Sequence, residues 1–256
     1  LGDDILSLAP PKADARVAYG SDANQFIDLR MPKASGAHPL AICIHGGFWR
    51  AKYDLEYLGH LCAALKAKGI ATANLEYRRV GNAGGGWPGT FEDIRKAYQF
   101  LLQSAQRYGF DTRRVIVLGH SAGGQLALCL AAHESGLAAA VSLAGVVDLQ
   151  RAYELHLSND AVVEFLGGQP AGVPEHYREA DPMKVVIRTR QWLVHGAEDD
   201  IVPPALSKNY VDAKVKSKED ARLIAIVGAG HFDVVDPRSE AWAQVEKVCI
   251  DGVGKA

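Results

Sequence analysis

Short apolar, β-branched runs recur along this chain, with stretches of helical spacing between them. Residues 16–19 and 26–31 flank Gly20-Ser21-Asp22 and predict an opening hairpin. Six further runs read as strands: Leu40–Ile44, Ile70–Leu75, Val115–Leu118, Ala139–Leu143, Gln191–Val194 and Leu223–Val227. Residues 55–68, 91–107, 122–134, 204–216 and 238–250 place apolar side chains three and four apart, as a helix with one buried face does. Strands alternating with helices predict an α/β fold, a mostly parallel, twisted sheet with helices on both faces. In such a sheet, chemistry gathers in the loops at the carboxyl ends of the strands.

One connection breaks this rhythm. From Val146 to about Arg190 the chain runs long before the next strand, through Gly167-Gly168, Pro170, Pro174 and Pro182. Residues 151–166 carry helical spacing and the remainder reads as irregular. A stretch this long at the carboxyl edge of a sheet is expected to form a small lid. With no repeat, low-complexity tract or linker to divide it, residues 1–256 are expected to form one domain, with 146–190 as the lid or cap insertion.

Composition narrows the classes. At 256 residues with a net charge of −2, the chain can bury a large core, and no run of Lys or Arg marks one face, so no nucleic-acid partner is expected. No apolar stretch approaches the roughly 18–20 residues of a membrane span. Cys43, Cys62, Cys129 and Cys249 each sit in an apolar segment and form no CxxC pair. Buried free thiols and a reducing, cytoplasmic location are the expectation. A first residue of Leu rather than Met leaves room for a removed leader.

The chemical signal starts at Gly119-His120-Ser121-Ala122-Gly123. Chance supplies a GxSxG about once in ten chains of this length and composition, so its setting carries the weight. The run Val115–Leu118 leads in and an Ala- and Leu-rich helix leads out. Such a strand–turn–helix lifts the Ser121 hydroxyl above the sheet edge as a nucleophile. A hydroxyl needs a base, and of nine histidines His231 is the best placed, in Gly230-His231-Phe232 after the last strand. His45 and His195 also stand at strand ends, each before a glycine, where a ring usually braces a loop. His120 adjoins the nucleophile and is a candidate to line the substrate site. The orienting acid is expected on another strand-end loop, and Glu198, Asp199 and Asp200 all qualify. Asp148 is a further candidate. Backbone N–H groups must meet the oxyanion, and those of Gly47, Phe48 and Ala122 are the candidates, with Gly46 as the bend that aims the loop.

Together HGGFW, GHSAG, HGAEDDIVP and GAGHF resemble the α/β-hydrolase superfamily. Within it the chain is similar to the esterases related to hormone-sensitive lipase and to the small esterase group near kynurenine formamidase. The likeness extends to Asp28-Leu29-Arg30-Met31-Pro32, Glu76-Tyr77-Arg78, Trp87-Pro88 and Glu92-Asp93. It implies that the acid is the residue four after the His of the HGxxD segment, Asp199. Phe48 replaces the third glycine of the lipase-type HGGG, and Trp49 fits the formamidase-type HGGxW. The residues before the hairpin are too few for the N-terminal helical cap of many lipase relatives.

The resemblance implies hydrolysis of small carboxylic esters through an acyl-enzyme, with no cofactor or metal and a small ester or amide as partner. Action on N-formylkynurenine is the alternative, and a non-catalytic ligand-binding protein of this fold is a third. Trp49, Trp87 and His120 are candidate substrate contacts. Gly84-Gly85-Gly86 is not followed by the Lys-Ser or Lys-Thr of a phosphate cradle and reads as a flexible loop.

Overall fold

A computed structural model describes residues 2–254. Eight strands form one sheet: β1 (Ala15–Ala18), β2 (Phe26–Arg30), β3 (His38–Ile44), β4 (Ala71–Leu75), β5 (Phe110–His120), β6 (Ala139–Leu143), β7 (Gln191–Gly196) and β8 (Ala221–Ile226). Their order is β1-β2-β4-β3-β5-β6-β7-β8. The pairs β1–β2 and β2–β4 are antiparallel and the other five are parallel. This is the α/β-hydrolase arrangement that the motifs imply.

The central strands are apolar on both faces because both faces are covered. Along β3, Leu40, Ile42 and Ile44 join one apolar layer while Ala41 and Cys43 join the other. Side chains alternate across a strand, so a run without polar breaks must be buried twice. The first layer receives α2 (Gly89–Gln103), α4 (Ala122–His133) and α8 (Ala205–Lys216); the second receives α1 (Gly59–Ala67) and α9 (Trp242–Val253). In α2 the inward face is Phe91, Ile94, Ala97, Tyr98 and Leu101, spaced as one helical stripe. A short α3 (Ala105–Tyr108) continues it after a break at Ser104, so the stretch expected as one helix is two. Gly109, in the left-handed region at φ 72°, ends it.

β5 starts earlier than its apolar run. Phe110 pairs with His38, and the polar residues 111–114 follow as strand, with a register shift between His38 and Leu40. Backbone pairing, not hydrophobicity, sets that end.

The 146–190 segment, expected as a lid insertion, holds more structure than its sequence suggests. Instead of one helix over 151–166 it forms α5 (Leu149–Glu154) and α6 (Ala161–Leu166). Between them Ser158, Asn159 and Asp160 lie at φ 50°, 54° and 58°, and such left-handed residues cannot continue a right-handed helix. The part expected as irregular contains α7 (Pro174–Ala180), opened by a proline where its missing N–H costs nothing. Leu149, Val162, Phe165, Leu166, Tyr177 and Ala180 of the insertion are buried in the first apolar layer.

Candidate active site

Ser121 joins β5 to α4 in a backbone conformation of φ 56°, ψ −121°. A non-glycine residue there costs of order 1–3 kcal/mol, held by the surrounding structure. Here Ser121 N–H donates to Leu143 O at 2.9 Å, and its carbonyl accepts from Gly124 N at 2.9 Å and Val146 N at 3.2 Å. The turn needs glycine at 123, where a Cβ would sit 2.1 Å from Ile44 O and 2.5 Å from His45 O. α4 thus packs directly on the end of β3 and brings the two loops together.

His231 follows β8, with Gly230 N–H donating to Asp233 Oδ2 at 2.7 Å to shape its loop. Its Nδ1 donates to Asp199 Oδ2 at 2.7 Å. Asp199 follows β7 and is buried, whereas Glu198 and Asp200 are exposed. Asp199 Oδ1 accepts from Ile201 N at 2.9 Å and Val202 N at 2.8 Å. His195 Nε2 donates to Asp199 Oδ2 at 3.0 Å and to Val202 O at 3.0 Å, while Ser207 Oγ donates to its Nδ1 at 2.7 Å. His195 is therefore a brace. Burial works to raise the Asp199 carboxyl, but the bonds from His195 and His231 outweigh it and hold it below the usual carboxylate range. Asp148 instead caps α5, accepting from Arg151 N at 2.8 Å.

The HGGFW loop leaves β3 beside the serine. A Cβ on Gly46 would lie 2.8 Å from Ser121 Cβ. Gly47, Phe48 and Trp49 follow at φ 98°, 49° and 57°. For the two that are not glycine this costs roughly 1–2 kcal/mol each. Among the described residues the N–H groups of Gly47, Phe48 and Ala122 have no backbone acceptor. His45, at the base of the loop, bonds Glu76 Oε1 at 3.1 Å and Gly46 O at 2.8 Å, and its own carbonyl accepts from Tyr77 Oη at 2.7 Å. Burial would raise Glu76, but His45 and Arg79 prevail and lower it, so a buried carboxylate anchors the loop.

A cavity of about 220 Å³ joins these pieces. Gly47, Phe48, His120, Ser121 and His231 line it, with Leu6, Tyr53, Tyr57, Ile201 and Phe232 as apolar walls. Larger depressions of about 610 and 390 Å³ lie elsewhere and hold none of these groups. His120 reaches the wall by a relay: Gly46 N–H donates to Tyr57 Oη at 2.7 Å, Tyr57 pairs with His120 Nδ1 at 2.9 Å, and His120 Nε2 donates to His231 O at 3.0 Å. Burial, joined by repulsion from the His231 ring whenever that ring is protonated, pushes His120 well below its ordinary value, so it stays neutral. The cavity lining does not include Trp49 or Trp87. Trp49 is 1% exposed behind the loop, and Trp87 stacks on Phe91 at 5.3 Å. Tyr53 and Tyr57 are close in sequence to the HGG motif and Phe232 adjoins His231, but nothing in the sequence points to Leu6. Among the described residues no group of three or more His, Cys, Asp or Glu is arranged to hold a metal ion.

The BD-FAE family model matches residues 27–213, a span that holds the HGGFW loop, Ser121 and Asp199. The chain belongs to the BD-FAE family. Esterase LipC of Mycobacterium tuberculosis is 26% identical over 86% of this chain, which spans 60% of LipC's length. Kynurenine formamidase avaC of Aspergillus versicolor is 26% identical over 81% of this chain and 84% of its own. A truncated carbohydrate esterase from gut microbiota superposes with a TM-score of 0.82 at 20% identity, covering 97% of this chain and all of that one. This BD-FAE chain thus shares its fold with solved esterases. Among the described residues no helix is long and apolar enough to cross a membrane.

Proposed function

We propose that this protein is a serine carboxylesterase that hydrolyses esters with a short acyl or an aryl group through an acyl-enzyme. The observation that carries this reading is the 2.7 Å bond from His231 Nδ1 to the buried Asp199 carboxylate, beside a cavity shared with Ser121. With Nδ1–H held by Asp199, Nε2 is left to take the Ser121 proton. Ser121 Oγ then attacks the carbonyl carbon, and the oxygen that gains charge meets the N–H groups of Gly47, Phe48 and Ala122. Collapse expels the alcohol, which receives the proton from Nε2. Water, deprotonated by the same nitrogen, repeats the attack and releases the acid. Among the described residues no hydrogen bond joins Ser121 Oγ to the His231 ring, and that bond forms when substrate fills the cavity, as catalytic hydrogen bonds commonly do on substrate binding.

Size and lining support the substrate class. A cavity of about 220 Å³ is smaller than the roughly 300–1,000 Å³ of sites for drug-sized ligands, and most of its walls are apolar. Four free, buried cysteines support work in a reducing, cytoplasmic compartment. Ser121→Ala should lower kcat on p-nitrophenyl acetate about a millionfold, and wild type should be labelled at Ser121 by a fluorophosphonate. A loss below tenfold overturns the assignment, and failure to label favours a non-catalytic binding protein.

A second reading, hydrolysis of N-formylkynurenine, is favoured by Trp49 in HGGFW and by the likeness to avaC. Turnover of that amide against p-nitrophenyl esters of rising chain length separates the two. Preference for butyrate or longer removes the formamidase.

A further inference from the structure

The 146–190 insertion contributes no residue to the walls of the Ser121 cavity. It meets the HGGFW loop from the far side. The Trp49 indole lies flat on Phe165 of α6, with centroids 4.5 Å apart and planes 5° from parallel, and both rings are 1% exposed. Phe165 is held in turn, its carbonyl accepting from Trp87 N at 2.7 Å. The next loop residue, Arg50, grips the same helix. Its Nε and Nη2 donate to the two Glu164 oxygens at 2.8 and 3.0 Å, and Nη1 donates to Ser158 Oγ at 2.9 Å. The left-handed turn at 158–160 turns the Ser158 carbonyl toward the same guanidinium, 2.9 Å from Nη2.

Gln125 closes the arrangement. It stands one turn along α4 from Ser121 and is fully buried. Its Oε1 accepts from Trp49 Nε1 at 3.0 Å, and its Nε2 donates to Ala180 O, the last residue of α7, at 2.8 Å. Nucleophile helix, loop and insertion therefore meet at one side chain.

Resting on the esterase reading above, we infer that Phe165, Glu164 and Gln125 are positioning residues for the oxyanion donors: the insertion is a buttress that holds residues 47–49 in their left-handed turn. Three successive residues at positive φ relax toward ordinary backbone once the clasp on Trp49 and Arg50 is released. Relaxation turns the Gly47 and Phe48 N–H groups away from the oxygen that becomes charged. Since each well-aimed donor is typically worth about a hundred- to a thousandfold in rate, partial misalignment acts on kcat. Ground-state binding rests mainly on Leu6, Tyr53, Tyr57, Ile201 and Phe232, which lie outside residues 47–49, so KM changes little.

The test uses the full chain and p-nitrophenyl acetate. Phe165→Ala should lower kcat about ten- to a hundredfold with KM within about threefold, and Phe165→Tyr, which keeps the stack, should recover most of it. A trifluoromethyl ketone is the second probe. Ser121 Oγ adds to its carbonyl carbon, the serine proton passes to His231, and the former carbonyl oxygen becomes the oxyanion. Its affinity should fall in step with kcat. Where Phe165→Ala does not fold, Glu164→Gln and Arg50→Lys serve on the half-exposed ion pair. Each should lower kcat about threefold or more, and the double variant should lose no more than the worse single one. Wild-type turnover that Ser121→Ala abolishes keeps the esterase reading intact. If these variants then stay folded with kcat within twofold of wild type, or lose only KM, the buttress is refuted.

Discussion

Four donors converge on the Asp199 carboxylate, and of these His231 alone donates from a ring that lines the cavity. The other three fix the carboxylate, so the His231 ring is oriented by a group that cannot turn. Asp199→Asn should keep the fold and lower kcat by about ten-thousandfold, because an amide can stabilise the wrong imidazole tautomer. Asp200→Asn, on an exposed side chain, should leave kcat within about twofold. Steady-state kinetics on one p-nitrophenyl ester checks both, and equal effects would remove Asp199 from its role. Ser121 and His231 were legible because each sits in a short glycine-flanked motif at a strand end. The three neighbouring acids were separable only by likeness to a family, since burial is what distinguishes Asp199 and burial depends on the fold. Trp49 shows the reverse case. Its place in HGGFW suggested a pocket wall, but successive positive φ angles send Phe48 to the cavity and Trp49 to the core.

The strand–turn–helix at Ser121 is set by contact distances between elements. The α4 backbone approaches the end of β3 so closely that Gly123→Ala would drive a methyl to 2.1 Å from Ile44 O. The better helix propensity of alanine, about 1 kcal/mol, is outweighed by that clash. The variant should lose at least about 1–3 kcal/mol of stability and most of its activity, as the HGGFW loop is pushed off the serine. Urea denaturation measures the first; a variant as stable as wild type would show that the two elements yield easily. Periodicity located the helices on either side of the sheet best where one face is apolar along its length, as in α2 and α9. It failed inside 146–190, where α5 and α6 are six residues each and too short to display a period. Their apolar side chains are buried by neighbours distant in sequence, so the break at 158–160 has only a weak local signature in Ser-Asn-Asp.

At the scale of the whole molecule, the 146–190 segment also bears on stability. Asp181, after α7, is buried, and that burial raises its carboxyl from 3.8 to about 6. The folded chain therefore binds this proton more tightly than the unfolded chain does. The stability it contributes is fully present below pH 4 and is lost as pH rises through 6. A difference of that size corresponds to about 3 kcal/mol. Asp181→Asn should flatten the pH dependence of unfolding between about pH 4 and 6.5 and gain on wild type as pH rises. Urea denaturation across that range checks it, and an unchanged slope would exclude Asp181 as the source.

What the sequence determined by itself was the sheet, its covering layers and the three motif-bearing loops at one edge. Those features are written in local periodicity and in glycines whose spacing forces sharp turns. Tertiary structure alone decided which acid is enclosed, which aromatic faces the cavity, that Leu6 closes one wall, and that the insertion grips the loop behind the serine. Each depends on residues far apart in the chain meeting within a few ångströms. That proximity comes from packing the layers together, and no local window of sequence encodes it.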